Sequence, residues 1–299
     1  MIRPDHPFRP PGTGCRGGCA LRVGVTLRAV NAGTVSIACI LCGHELSWSA
    51  EATQRRIAAC PGCGVPTTIP PPSRDVFSDE LFFDGSYAGN RMAKRHLWLR
   101  EARVRLDWIR SHVPAGRLLE IGSATGEFVA TAEQAGFRAV GLESSEWAVA
   151  ASRDLTGAVI RADLSEWLAE QDDAAFDVIA FFHTLEHIHD PHGFLKPLVD
   201  ALANDGRMFI EVPNGGASDI RDGAAWVGAK LEDHVVHYRQ QDLESLLSSV
   251  GLRCVDVQTF STREYTTAPL WAAYRVVRLL TKGRLAVSRD FLRVVAARR

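Results

Sequence analysis

Four cysteines form two pairs with the spacing of metal ligands, Cys39 with Cys42 and Cys60 with Cys63. A glycine directly follows each pair, and residues 43–59 lie between the pairs. Thiolates from two tight turns can complete a tetrahedral shell around zinc. A redox-active pair is the competing interpretation, but the repetition of the same pattern favours a structural zinc ribbon that uses all four thiolates.

The stretch FFHTLEHIHDPH concentrates histidines and carboxylates, and three interpretations of it stay open. In the first, Glu186 and His187 organise a loop by hydrogen bonds. In the second, His187 is an acid-base or positioning residue next to an acceptor. In the third, His183, Glu186 and His187 bind a divalent cation that holds a diol. The later histidines, His189 and His192, are expected to be exposed.

The elements around these residues alternate between short apolar runs and helical periodicity, which is typical of a parallel sheet covered by helices. The predicted fold class is therefore α/β, a seven-stranded doubly wound (Rossmann-like) sheet with a small N-terminal zinc ribbon. Asp190-Pro191 marks the start of the helix after the histidine-rich loop. The predicted strands are Arg117–Ile121, Arg138–Glu143, Ala158–Asp163, Phe176–Phe182, Arg207–Val212, Leu252–Phe260 and Phe291–Ala297.

Periodicity and the positions of proline divide the chain into four parts. Residues 1–34 show no periodicity and are predicted to lack a fixed fold. The zinc ribbon occupies 35–72 and closes on a run of prolines. A linker and one leading helix, from Gly89 to His112, occupy 73–112, and the α/β domain occupies 113–299.

Glycines and acids at the predicted strand ends indicate a ligand site. The first strand runs through Glu120 into a turn with Gly122 and Gly126, where a backbone without side chains can approach a ligand closely. A carboxylate beside the turn disfavours a pyrophosphate and favours a cation. Glu143 and Asp163 end the next two strands. For each acid alone, a helix cap or a solvated strand end is the simpler explanation.

These residues resemble the first motifs of the class I S-adenosylmethionine-dependent methyltransferases. The resemblance implies that Glu143 accepts both ribose hydroxyls and that Asp163 lies beside the adenine amino group. Ala124 departs from the pattern, since a middle glycine is common there. The cofactor-binding residues that the resemblance implies are Glu120, Gly122, Ser123, Gly126, Glu143, Ser144, Asp163, Leu164, Phe182 and His183.

Two further resemblances concern the acceptor. The Leu-Glu-His run followed by Asp-Pro, together with FIEVPN at 209–214, looks like the branch that includes the ubiquinone-pathway O-methyltransferases. LEDHVVHY at 231–238 is similar to a run in sugar C-methyltransferases that carry a four-cysteine zinc domain. That similarity implies that His234 is a general base oriented by Asp233, and a purely structural histidine is the alternative. The large C-terminal domain of those sugar enzymes has no counterpart in this sequence.

The net charge and the hydropathy of the sequence limit which classes of binding partner are expected. The formal net charge is -1, which provides no global electrostatic attraction for nucleic acid. No apolar run is long enough for a membrane span, so we expect a cytoplasmic enzyme. Arginines in 271–299 suit either peripheral contact with an anionic membrane or, more simply, a surface helix before the last strand. The oligomeric state cannot be predicted.

The expected activity is O-methylation of a small-molecule acceptor with S-adenosylmethionine as cofactor. C-methylation of a nucleotide-linked sugar is the alternative within enzymes of small metabolites. A third, less favoured possibility is 2'-O-methylation of RNA, with the ribbon as the recruiting module. Residues 35–72 contain Arg55 and Arg56 against Glu45 and Glu51, so they lack the basic face that RNA binding requires.

Overall fold

The computed structural model of the chain describes residues 28–31, 33–73, 85–171, 175–216, 230–260 and 290–299. The predicted helix and the arginines in 271–289 lie outside the described residues, as does most of the segment 1–34. Among the described helices, none is long and apolar enough to cross a membrane.

The N-terminal module consists of two small antiparallel sheets. Its first strand lies within the segment predicted to lack a fixed fold, so that prediction is wrong for Arg28–Asn31, which pairs with the next strand. The two cysteine pairs follow β2 and β4, at the turns of the two hairpins. The three-stranded sheet contains β1 (Arg28–Asn31), β2 (Thr34–Ala38) and β3 (Glu45–Ser49), and the hairpin contains β4 (Arg56–Ala59) and β5 (Pro66–Ile69).

Two helices replace the single leading helix predicted from Gly89 to His112. They are α1 (Gly85–Ala93) and α2 (Arg95–Arg110). The backbone leaves the helical region at Lys94, with φ −103° and ψ 13°, which separates them. One face of α2 is buried and carries Ala102, Leu106, Trp108 and Ile109.

The seven-stranded doubly wound sheet is confirmed. It consists of β6 (Arg117–Ile121), β7 (Arg138–Glu143), β8 (Val159–Arg161), β9 (Phe176–Phe182), β10 (Leu202–Pro213), β11 (Leu252–Phe260) and β12 (Phe291–Arg298). The order is β11-β12-β10-β9-β6-β7-β8, and β12 is antiparallel to both of its neighbours. The strand order reverses between β6 and β9, and ligands bind at such a switch point, beyond the carboxyl ends of the strands.

Helix caps decide where the connections begin. The third strand is shorter than predicted because Asp163 is the N-cap of α5 and accepts hydrogen bonds from the amides of Ser165 and Glu166. Asp190 caps α6, with Pro191 in its first turn, as predicted. The remaining helices are α3 (Glu127–Gln134), α4 (Glu146–Ser152), α5 (Leu164–Ala169), α6 (Pro191–Ala201) and α7 (Gln240–Ser249), and a 3-10 turn covers Leu185–His187.

The ribbon shares its core with the sheet. Its buried residues belong to the same apolar cluster as the sheet residues and the segment after 230. Each fully buried large aliphatic side chain contributes about 1.5–3 kcal/mol relative to an exposed one, so the ribbon is anchored by burial as well as by its thiolates. The ribbon residues in this cluster are Ile37, Cys39, Leu46, Cys60 and Val65, and the segment contributes Val235, Val236 and Tyr238.

Candidate active site and candidate metal centre

The two cysteine turns have the same backbone geometry. In each, the amide of the first cysteine donates to the carbonyl five residues on, and the amide of the glycine donates back to the carbonyl of that cysteine. The glycines have positive φ, 72° at Gly43 and 75° at Gly64, a conformation that costs other residues energy. The glycine after each pair therefore allows the turn to present both thiols to one point.

The four sulfurs converge with the spacing of a tetrahedral zinc site. The Sγ atoms of Cys39 and Cys63 lie 3.6 Å apart, and so do those of Cys42 and Cys60. All four lie within 4.8 Å of one another. Zinc–sulfur bonds of about 2.3 Å place tetrahedral sulfurs about 3.8 Å apart. The donor set and its spacing therefore fit one structural zinc ion.

The glycine-rich turn between β6 and α3 can be built only with glycine at position 122. Gly122 has φ +74°, and a Cβ atom there would lie 2.7 Å from the hydroxyl oxygen of Thr184. That hydroxyl donates to the carbonyl of Ile121 at 3.2 Å and is fixed in place. Thr184 belongs to the loop after β9, so this loop closes on the turn, a contact that the sequence did not predict.

Glu143, at the end of β7, stabilises this turn directly. One carboxylate oxygen accepts the amide of Ala124 at 2.7 Å, and the other accepts the amides of Ser144 and Ser145 at 2.8 and 2.9 Å. The predicted Ser144 thus contributes through its backbone. Among the described residues the oxygen that faces the turn, Oε2, accepts the amide of Ala124 alone, so it keeps an acceptor position for a hydroxyl donor of a ligand.

Glu120 is a buried carboxyl group with an unsatisfied oxygen. Its relative exposure is 4%, and among the described residues Oε2 has no hydrogen-bond partner. Burial raises the pKa of Glu120 to about 8. Ser123 is buried beside it, with a hydroxyl that is likewise unsatisfied. A buried carboxyl group with a raised pKa at a switch point is able to hold a cationic group of a ligand once it ionises.

Three predicted cofactor residues have structural uses in this geometry. One carboxylate oxygen of Asp163 accepts the two hydrogen bonds that cap α5, which agrees with the helix-cap explanation of this acid. Leu164 packs in the apolar core. The ring of Phe182 meets that of Phe128 edge to face at 5.0 Å, and the Arg105 guanidinium lies 4.4 Å from its centroid.

His183 lies between two buried carboxylates. Its Nδ1 is 3.3 Å from Oε1 of Glu186, and its Nε2 is 3.2 Å from Oε1 of Glu211. Burial alone lowers the pKa of His183, but the two carboxylates outweigh burial and raise it to about 9. Without a bound metal the ring is therefore a cation at neutral pH, and a divalent cation would have to displace a proton to bind it.

Glu211 is a functional candidate that the sequence reasoning missed. Arg105 and Arg293 contact its two oxygens at 2.5 and 2.7 Å, and these guanidinium groups outweigh burial and hold its pKa well below the usual range. The available signal was an acid in the middle of the apolar strand β10. Such a carboxylate is buried only when it is paired.

His187 has a defined tautomer. Its Nδ1 is 2.9 Å from the backbone carbonyl oxygen of Asp233, and a carbonyl only accepts, so Nδ1 carries the hydrogen. In the neutral ring the lone pair is then on Nε2, which lies 3.9 Å from Oε1 of Glu186. Burial raises the pKa of Glu186, but the adjacent His183 ring at 3.3 Å and the nearby His187 outweigh burial and lower it to about 2.

The structure does not bring Asp233 and His234 into the predicted dyad. Nε2 of His234 is 3.7 Å from Oδ1 of Asp233, too far for a hydrogen bond. His234 is 3% exposed, and burial lowers its pKa to about 3, so it is a weak base. Its ring packs on that of His187 with centroids 4.8 Å apart. His234 thus supports the neighbouring histidine.

The loop also contains a possible cation site, although not the predicted combination. Ligand atoms of Glu186, His187 and His234 lie within 4.8 Å of one another. His183 groups with Glu101 and Glu211 instead. The two outer histidines, His189 and His192, are half-buried, contrary to expectation, and Nε2 of His189 lies 3.1 Å from the carbonyl oxygen of Pro72.

Comparison with known proteins agrees with this geometry. A methyltransferase domain family matches residues 93–257, more than half of the chain. The ubiquinone biosynthesis O-methyltransferase of Idiomarina loihiensis is 27% identical over 142 residues, which cover 44% of this chain and 56% of that protein. The enzyme of the same name from Hahella chejuensis is 25% identical over 184 residues, 58% of this chain and 76% of that protein.

Solved structures show the same fold. A SAM-dependent methyltransferase from Archaeoglobus fulgidus superposes with a TM-score of 0.52 at 18% identity, over 71% of this chain and 99% of that one. The mitomycin 7-O-methyltransferase MmcR superposes with a TM-score of 0.51 at 17% identity, over 77% of this chain and 64% of that one.

The sheet order and the glycine turn at its switch point define a class I, Rossmann-like methyltransferase. The chain belongs to the methyltransferase domain family and is an S-adenosylmethionine-dependent methyltransferase.

Proposed function

We propose that the enzyme methylates a hydroxyl oxygen of a small molecule and that His187 is the general base. The observation that carries this proposal is the hydrogen bond from Nδ1 of His187 to the carbonyl of Asp233. It leaves Nε2 as the basic atom of a ring that is 14% exposed at its side chain. The O-methyltransferase names of the relatives support transfer to oxygen.

Each residue has a defined part in this reaction. The bound cofactor supplies a methyl group on a positively charged sulfur. In this proposal Glu143 would accept the ribose hydroxyls of the cofactor, and Glu120 would pair with its cationic end. Nε2 of His187 takes the proton that the acceptor hydroxyl loses, and the Glu186 carboxylate stabilises the resulting imidazolium.

The test is an acceptor screen with a radiolabelled methyl donor. Phenols and catechols, nucleotide-linked sugars and a structured RNA are each incubated with the enzyme, and the labelled product is analysed for the methylated atom. Label on an oxygen of a small molecule is the expected result. Label only on a sugar carbon, or only on RNA, would replace the proposal with one of the two alternatives.

We also propose that the four thiolates bind one structural zinc ion. The purified protein is expected to contain one zinc per chain by mass spectrometry, and Cys39→Ser is expected to lose it. Cys254→Ser, which removes a cysteine outside the ribbon, is the control and should retain the metal. Wild-type protein without zinc would contradict the assignment. A second metal that survives Cys39→Ser would point to a cation site at Glu186, His187 and His234 or at Glu101, His183 and Glu211.

The raised pKa of Glu120 predicts how cofactor affinity depends on pH. With a pKa of about 8, the unliganded carboxyl group is mostly protonated at neutral pH and must ionise to pair with a ligand ammonium. Affinity for S-adenosylhomocysteine is therefore expected to rise with pH, by up to about tenfold per unit, and to level off above about pH 8. This dependence belongs to the wild type and should be absent in Glu120→Gln.

Isothermal titration calorimetry from pH 6 to 9 measures both proteins. The ratio of the two affinities cancels the titration of the ligand's own amino group, which is common to both. A ratio that does not change with pH would show that Glu120 does not contact the cationic end of the cofactor.

A further inference from the structure

The segment 233–238 is held between the zinc ribbon and the catalytic loop. Three elements hydrogen-bond to it: strand β5 of the ribbon, the 3-10 turn after β9, and Gly215 after β10. The fit at Gly215 is close, since a Cβ atom there would lie 2.1 Å from the carbonyl oxygen of His237. The position of this segment is therefore set by its neighbours, and the ribbon is one of them.

On the ribbon side, two backbone bonds and one side-chain bond join β5 to the segment. The amide of Thr68 donates to the carbonyl of Val235, and the amide of His237 donates to the carbonyl of Pro66, both at 2.9 Å. The Thr68 hydroxyl is hydrogen-bonded to Nε2 of His237 at 3.0 Å. Thr68 and His237 are 0% and 1% exposed, so water does not substitute for this bond.

On the catalytic side, the same segment fixes the loop that carries the base. The amide of Val235 donates to the carbonyl of Glu186 at 2.8 Å. The carbonyl of Asp233 accepts Nδ1 of His187 at 2.9 Å. The segment 233–238 is thus bonded to the ribbon through Val235 and His237, and it orients the ring of His187 through the carbonyl of Asp233.

We propose that Thr68, a residue of the zinc ribbon, is a positioning residue for His187 and that strand β5 is a working part of the acceptor site. The proposal rests on the proposed function to the extent that His187 is the base. Because a misplacement of about 1 Å at a reacting group can cost about 100-fold in rate, a loosened segment lowers turnover without touching the cofactor turn.

Three substitutions test the role of the hydroxyl. Thr68→Val removes the hydroxyl at nearly constant side-chain shape, whereas Thr68→Ser retains a hydroxyl. Thr67→Val is the matched control, since Thr67 is also buried on β5 but its hydroxyl donates within the ribbon, to the carbonyl of Val65 at 3.5 Å. Removal of the zinc from folded wild-type protein with a chelator gives a fourth sample that needs no substitution.

The main readout is the nitrogen spectrum of protein labelled with 15N-histidine, which reports the tautomer of His187 directly. Wild type, Thr68→Ser and Thr67→Val are expected to show protonated Nδ1, whereas Thr68→Val and the zinc-free protein show a mixture of tautomers. In parallel, turnover with an acceptor found in the screen should fall about 10-fold to 100-fold in Thr68→Val. The affinity for S-adenosylhomocysteine should stay within about twofold.

The outcomes separate this proposal from the proposed function. The spectrum requires no acceptor, so it decides the role of Thr68 even if no hydroxyl compound is methylated. An unchanged His187 signal in Thr68→Val and in the zinc-free protein would overturn the proposal. So would an equal change in Thr67→Val, because general loosening of the strand would then explain the effect.

Discussion

Glu143→Ala is expected to weaken the binding of S-adenosylhomocysteine by about 100-fold or more. The carboxylate accepts three backbone amides from the glycine-rich turn and the residues after β7. A hydrogen bond to a charged group contributes about 1.5–3 kcal/mol, and each 1.4 kcal/mol is about tenfold in affinity. The substitution therefore removes both the proposed ribose acceptor and the group that shapes the turn.

Calorimetric titration of the ligand measures this effect, with the melting temperature recorded for every variant. Glu146→Ala is the control, since this nearby carboxylate is exposed and pairs with Arg161 on the surface. Wild-type affinity in Glu143→Ala would contradict the assignment. A loss of affinity shared by Glu146→Ala would trace the effect to helix α4 as a whole.

His187→Gln is expected to reduce kcat by about 100-fold to 1000-fold while leaving cofactor affinity within about twofold. Glutamine can still donate to the carbonyl of Asp233, so the loop keeps its hydrogen bond, but it offers no basic nitrogen. His189→Gln is the matched control from the same loop. The measurement is initial-rate kinetics with the acceptor found in the screen.

His234→Gln discriminates between the two candidate bases. Burial lowers the pKa of His234 to about 3, so its basicity is low, and we expect a smaller fall in kcat than in His187→Gln. A larger effect in His234→Gln than in His187→Gln would return the role of base to His234, as the sugar-enzyme resemblance implied.

Local patterns were sufficient for most of the fold. The seven strands and the start of α6 at Asp190-Pro191 follow from periodicity and capping, which depend on neighbouring residues. The errors have the same origin. Lys94 interrupts the leading helix without a proline or glycine to mark it, and the cap formed by Asp163 shortens the third strand.

The acceptor site was less predictable because its contacts join distant parts of the chain. The sugar-enzyme resemblance implied that Asp233 orients His234, yet it is the carbonyl of Asp233 that orients His187. The sequence suggested a cofactor or metal contact for His183, and it did not suggest that this ring lies between the buried carboxylates of Glu186 and Glu211. The sequence shows which groups are ionisable, but only the packing shows which of them meet.

By itself, the sequence determined the class of the enzyme, the doubly wound sheet and the four thiolates of the proposed zinc site. These features are encoded in short spacings, where the chain fixes the geometry within one turn or one strand. The tertiary structure alone decided the tautomer of His187 and the contact of the ribbon with the segment 233–238. The bond between Thr68 and His237 joins residues 169 positions apart, and only burial of the two surfaces against each other brings such groups together.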